Sequence, residues 1–336
     1  MENEIQKENE LATAPVGKLV VKFEIPSVIS LVVTQLYNIV DQIFIGNGVG
    51  YLGNGATNVV FPITVIAHGL AMLLGCGCAA FLNLKLGEGK QKDAEKGVGN
   101  SLLLLVALAV VLPILCYLFV QPLCKLFGAT ETIMPYALDY GKVIILGFPF
   151  VILYTGLNQI IRADGSPKLA MVSMLSGAIL NVILDYIFIF PLQMGVKGAA
   201  IATITGQALS LVIALFGIFR LNHVKLNRAC FKPNGRVIGN VCSIGASSFI
   251  VQAAIVLFTA VMINVLVKYG AETKYGSDIP ISAMGIVMKV NAIIINVIVG
   301  ISIGGQPLIS YSYGARTSSV SRLLSRQSFC PASRWV

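Results

Sequence analysis

IPSVISLVVTQLYNIVDQIFI, residues 25–45, and LAMVSMLSGAILNVILDYIFIF, residues 169–190, each read as a membrane-crossing helix with one aspartate inside it, Asp41 and Asp185. About 20 apolar residues rising ~1.5 Å each span the ~30 Å hydrocarbon core of a bilayer. An aspartate at the centre of such a helix costs about 2.5–3.5 kcal/mol on insertion scales, so a carboxylate placed there points to function. Two of them point to transport driven by an ion or a proton.

The rest of the chain fits a membrane. Of its 336 residues 56% are hydrophobic and 12% charged, against about 25% charged in an average soluble domain. Further apolar stretches run over 59–82, 99–119, 138–160, 198–219, 240–267 and 283–311, which makes about eight spans. The net charge of +9 is a topology signal. With the N-terminus inside, the inner connections carry Lys85, Lys90, Lys92, Lys96, Arg162, Lys168, Arg220, Lys225, Arg228, Lys232 and Arg236, whereas the outer ones carry only Lys125, Lys197, Lys268 and Lys274. That is the positive-inside pattern, and it removes the need for a nucleic-acid partner. The tail at 1–24 lacks the basic start and short apolar core of a cleavable signal, so it reads as cytoplasmic, with the first helix as insertion signal.

The segments GLAMLLGCGCAAFLNLKLGEGKQKDAEK (69–96) and NVIVGISIGGQPLISYSYGARTSSVSR (296–322) align on Gly87 and Gly314. Both run from small residues through apolar ones to a basic stretch, six helices apart. A six-helix offset preserves orientation, so the repeats are parallel and related by an axis along the membrane normal. The expected organisation is a six-helix N-lobe at 25–220, a basic cytoplasmic linker at 221–239, and the first two helices of a C-lobe at 240–316. The stretch TSSVSRLLSRQSFCPASRWV, 317–336, has no apolar periodicity and reads as frameshifted, leaving the second lobe C-terminally incomplete.

In the first helix Thr34, Asn38 and Asp41 share a face, with Gln35 and Tyr37 adjacent. Counted from the expected ends, Asp41 and Asp185 lie at the same depth, about 6 Å below the outer boundary. Asn181 is one turn below Asp185, and Thr203 and Thr205 fall in the outer third of the sixth helix. Such a group can carry a proton on a buried carboxyl or hold Na⁺ between Asp41 and Asp185 with amide and hydroxyl oxygens. The bland alternative is that both aspartates are wetted at the interface. Asp139 and Lys142, at i and i+3, read as an interfacial ion pair, and Lys289 as either a snorkelling or a functional lysine. No metal-ligand spacing, nucleotide loop or hydrolase motif occurs, so neither an enzyme nor a resident cofactor is expected.

PSVISLVVTQLYNIVDQIFIGNGVG (26–50), GLNQIIRADGSPKLAMVSMLSGAILNVILDYIFIF (156–190), GVKGAAIATITGQALS (195–210) and GGQPLISYSYGA (304–315) together resemble the bacterial multidrug and toxic compound extrusion (MATE) transporters. The resemblance implies an all-α polytopic membrane protein of two six-helix lobes around a central cavity. It also implies export of amphipathic, often cationic compounds in exchange for H⁺ or Na⁺ across the bacterial cell membrane. It assigns coupling-ion roles to Asp41, Asn181, Asp185 and Thr203, with Asn158 as a further polar member. Tyr37 and Asn38 fall at cavity-facing positions, and Gln35 and Met174 are added as substrate contacts. Two other readings stay open. One is a non-transporting fragment. The other is a lipid-linked oligosaccharide flippase of the same superfamily, which would need a basic cluster that the N-lobe helices do not display. The oligomeric state is not legible.

Overall fold

The computed structural model describes residues 15–270, 272, 276 and 278–315, and all regular elements among them are helical. The tail before residue 15, the stretch from 316 and the side chain of Lys289 lie outside the described residues. The helices are α1 (Val16–Gly48), α2 (Tyr51–Gly87), α3 (Gln91–Leu118), α4 (Val120–Leu126), α5 (Met134–Leu146), α6 (Phe148–Ala163), α7 (Pro167–Ile189), α8 (Gly195–Ile218), α9 (Gly235–Gly270) and α10 (Asp278–Gly314).

Seven of these helices are long and apolar enough to span a membrane, and α5 with α6 makes an eighth, bent by 51°. The stretch 138–160, read as one continuous span, is therefore broken. The cause is local. Pro149 sits in the first turn of α6, offers no N–H to the preceding turn and crowds the carbonyl four residues back, so the chain kinks at Gly147. The second span also starts eight residues earlier than hydropathy suggests. Gly53, Asn54, Gly55, Thr57 and Asn58 look like a polar loop but are buried helix. Thr57 Oγ1 donates to Gln42 Oε1 on α1 at 3.4 Å and Asn58 Nδ2 to the Ile281 carbonyl on α10 at 3.3 Å, so packing replaces the water these groups would otherwise need.

Helix α2 is the central post, packed against α3, α5, α6, α9 and α10. Small residues permit the close crossings. A Cβ on Gly77 would strike the Val241 carbonyl of α9, and one on Gly304 of α10 would lie 2.5 Å from the Glu24 Cα of α1. Helices packed this closely gain dispersion contacts that lipid cannot supply. By contrast α9 and α10 touch each other little and leave long apolar faces open, including Ile250, Leu257 and Ile294.

The basic connection after α8 is bound to the bundle. Asn100 of α3 donates to the carbonyls of Cys230 and Lys232, each at 3.2 Å, and accepts from the Asn234 amide at 2.8 Å. Asp164, just beyond α6, accepts from the backbone amides of Asn222 and, at 3.0 Å, His223. Asp139 pairs with Lys197 at 3.2 Å, which corrects the expected Asp139–Lys142 bridge: the partner lies across on α8, where the two exposed side chains meet. The described cysteines are all free.

Candidate functional site: a buried acid pair above a narrow cavity

Helices α1 and α7 pack against each other and bring the two aspartates inside. Asp41 is 6% exposed and Asp185 0%, which removes the reading in which both are wetted at an interface. They are electrostatic neighbours, and Tyr37 of α1 and Tyr140 of α5 lie within the field of both. Neither oxygen of Asp185 receives a well-formed hydrogen bond among the described residues. Phe44, Tyr186 and Phe190 form an aromatic group beside the pair, with ring centroids 5.5–6.3 Å apart.

The partner helix α8 is held in register by backbone and hydroxyl contacts. Ser173 Oγ donates to the Ser210 carbonyl at 2.7 Å, and Ser210 Oγ returns a bond to the Ser173 carbonyl at 2.9 Å. Between them Gly177 and Gly206 meet so closely that a Cβ on either would lie 2.5 Å from the other's carbonyl oxygen. This clasp sets Asn181 against Thr203, with Asn181 Nδ2 donating to Thr203 Oγ1 at 3.3 Å. Asn181 Oδ1 has no donor among the described residues.

Below the acids lies a cavity of about 20 Å³, lined by Thr34, Tyr37, Tyr154, Met174, Asn181 and Thr203 among others. That is room for about one water molecule or a small ion, not for a drug. The structure therefore brings Asp41, Asp185, Asn181 and Thr203 to one level, with Tyr37 and Met174 on the cavity wall. Three residues are placed elsewhere. Gln35 accepts from Asn296 Nδ2 of α10 at 3.1 Å, so it serves the α1–α10 contact. Asn38 donates to the Thr34 carbonyl of its own helix at 2.9 Å. Asn158 donates to Ser173 at 3.3 Å, roughly 18 Å along α7 from Asp185 at the helical rise.

Sequence reasoning passed over Tyr140, Tyr154 and Arg162. The tyrosines sit in an ordinary apolar background. Arg162 reads as a cytoplasmic charge at a helix end, yet it is 2% exposed, a buried cation whose guanidinium meets Gln159 and Met174.

Fold and site together define a multi-pass helical membrane protein with a buried acid pair in a bundle of transporter type. The MatE family profile matches residues 26–187. The structure of the MATE multidrug transporter DinF-BH, solved with a bound ligand, superposes with a TM-score of 0.88 at 33% identity, over 96% of this chain and 71% of that one. The multidrug export protein MepA of Staphylococcus aureus (strain MRSA252) is 29% identical over 302 residues, covering 89% of this chain and 65% of MepA. An FAD transporter of Shewanella oneidensis is 26% identical over 314 residues, 91% of this chain and 67% of that protein. The chain belongs to the MATE family, and it spans about 65% of the length of MepA.

Proposed function

We propose that this chain acts in secondary multidrug efflux, moving amphipathic, often cationic compounds out across the bacterial cell membrane in exchange for H⁺ or Na⁺. The observation that carries this reading is the burial of Asp41 and Asp185 together. Two adjacent carboxylates in a low-dielectric site repel. A shared proton or a hard cation removes that repulsion and lets α1 and α7 pack more closely. Loss of the cation favours a different packing, and that difference is what couples an ion gradient to alternating access. Asn181 Oδ1 and Thr203 Oγ1 are the neutral oxygens nearest to hand for a bound cation, and Tyr37 and Met174, on the wall of a cavity too small for a drug as it stands, would meet one only in a more open packing of the helices. Asn158 belongs to a polar group further down the same lobe.

The division into a six-helix lobe at 25–220 and the first two helices of a second lobe at 240–316 draws support from the packing. Helix α1 lies on α10 as α9 lies on α2. An axis relating the first two helices to α9 and α10 requires that exchange. The crossing of α2 and α10 brings Gly87 against Gly314, the pair on which the sequence repeat aligns. The excess of Lys and Arg on alternate connections supports a cytoplasmic N-terminus.

The test is ethidium movement in proteoliposomes containing the purified chain, with a pH gradient and a Na⁺ gradient imposed separately. Ethidium movement driven by one of the two supports antiport; movement that follows neither gradient contradicts it.

A further inference from the structure

Helices α2, α4 and α9 frame a groove of about 780 Å³, separate from the cavity beside the acid pair. Val65 of α2, Leu126 and Phe127 where α4 ends, and one face of α9 from Phe249 to Lys268 line it. At ~1.5 Å per residue that face is roughly 28 Å long, close to the ~30 Å of a hydrocarbon core. Asn264, one of its polar side chains, is spent: its Nδ2 donates to the Leu126 carbonyl at 3.1 Å and the Ala260 carbonyl at 2.8 Å. The rest of the α9 face is carbon, with Gln252 near one end and the ammonium of Lys268 at the other. Lys268 lies in the last turn of α9, at the end of the bundle away from the basic connection. It is exposed, and its Nζ lies 5.6 Å from the centre of the Tyr269 ring. Lys125, next to Leu126 on α4, is exposed as well. Among the described residues no carboxylate pairs with either lysine, whereas Lys197 at the same end is taken by Asp139.

The internal repeat shows which side of α9 belongs to its own lobe. Gly69 and Asn296 stand equally far before Gly87 and Gly314. Gln35 of α1 meets Asn296, and Gln252 of α9 lies against Gly69, whose Cβ would fall 2.9 Å from its own. Helices α1 and α9 therefore register on Gln35 and Gln252. In that register Leu36 and Ile43, both exposed on α1, correspond to Ala253 and Ala260 of the groove. Tyr37 and Asp41, on the side of α1 towards α7, correspond to Ala254 and Phe258, which do not line it. Helices packed on α9 as α7 packs on α1 take that other side and leave the groove facing the bilayer.

A space of this length and volume is narrower than another helix, which measures about 10–12 Å across with its side chains. It suits an extended hydrocarbon chain. A cation at the mouth of an apolar groove, at the depth of the lipid headgroups, adds selectivity for negative charge. We propose that the groove binds an anionic phospholipid, with one acyl chain along α9 between α2 and α4 and the headgroup phosphate on Lys268. Lys125 adds positive charge on the α4 side. The site shares no residue with the acid pair, so it stands apart from the efflux reading.

A matched pair of lipids tests it. The purified, delipidated full chain is titrated with dioleoylphosphatidylglycerol, which is anionic, or dioleoylphosphatidylcholine, which is zwitterionic, and the bound lipids are counted by native mass spectrometry. The chains compared are the wild type, Lys268→Gln and Ala260→Trp. The expected result is that the wild type binds its first phosphatidylglycerol about fivefold more tightly than its first phosphatidylcholine, the scale of one lysine at a membrane surface. Lys268→Gln abolishes that preference and changes phosphatidylcholine binding less than about twofold. Ala260→Trp fills the groove and weakens both lipids. Lys268 is exposed, so Lys268→Gln carries the test if Ala260→Trp does not fold. A wild type without the preference, a preference that survives Lys268→Gln, or unchanged lipid binding in a folded Ala260→Trp overturns the site. So does a dimer that Ala260→Trp dissociates, which gives the groove to a second copy of the chain.

Discussion

Two places where the bundle buries charge make an instructive contrast. In one, two like charges, the carboxylates of Asp41 and Asp185, lie against each other. In the other a guanidinium, Arg162, is buried with Gln159 and Met174 and no acid among its described hydrogen-bond partners. Charges that merely stabilise a fold are paired with their opposites or left at the surface, as Lys85, Glu88 and Lys90 are, with both N–O distances 2.9 Å. Charges buried beside their own kind, or with no opposite, pull against the fold. On the proposed reading the acid pair is offset by the small cation it takes up.

The sharpest way to break the contrast is at the acid pair. Asp41→Asn or Asp185→Asn removes the charge but keeps the shape, so gradient-driven ethidium export falls to the level of empty vesicles while membrane insertion and the elution volume on size exclusion stay unchanged. Export at the wild-type rate in both variants removes the acids from the mechanism. Next in size is Gly206→Leu. It drives a side chain into the Gly177 carbonyl, costs about 1–3 kcal/mol or more by overpacking, and separates Asn181 from Thr203. Thermal unfolding in detergent and dye affinity fall together here, unlike in the aspartate variants.

Asp164 sharpens the picture of the basic connection after α8. Burial pushes its carboxyl up from 3.8 to about 6, against the pull of the Asn222 and His223 amides. The folded chain therefore holds this proton more tightly than the unfolded chain. Stability from this group is gained as pH falls from about 6 towards 4 and is lost as pH rises through that window, on the order of 2–3 kcal/mol in all. Asp164→Asn flattens that slope in unfolding midpoints measured across the window. Smallest of all, Glu88→Gln at the exposed pairs with Lys85 and Lys90 changes stability by about 0.5 kcal/mol or less.

The contrast also explains what the sequence made legible. Asp41 and Asp185 stand out because each interrupts an apolar run, and the helical period puts Asn181 and Asp185 on one face. Arg162 does not stand out, because a basic residue at the end of a span is what topology alone predicts. Only packing reveals that Gln159 and Met174 lie against it. The start of α2 was hidden for a related reason: Asn54, Thr57 and Asn58 are polar by composition but buried among neighbouring helices. The kink between α5 and α6 was signalled by Gly147 and Pro149, yet hydropathy over 138–160 is blind to a bend. Gln35 neighbours the polar face of α1 in sequence, and only the fold shows that its side chain accepts from Asn296 of α10.

The central claim is that a cation taken up between Asp41 and Asp185 competes with or drives substrate binding. Its most direct test is the affinity of the purified chain for rhodamine 6G as a function of pH and of Na⁺, compared between the wild type and the Asp41→Asn/Asp185→Asn double variant. The expected result is a wild-type affinity that varies with one of the two ions and a double variant that binds with a constant affinity. A wild type indifferent to both ions, or a double variant with the wild-type dependence intact, contradicts the claim.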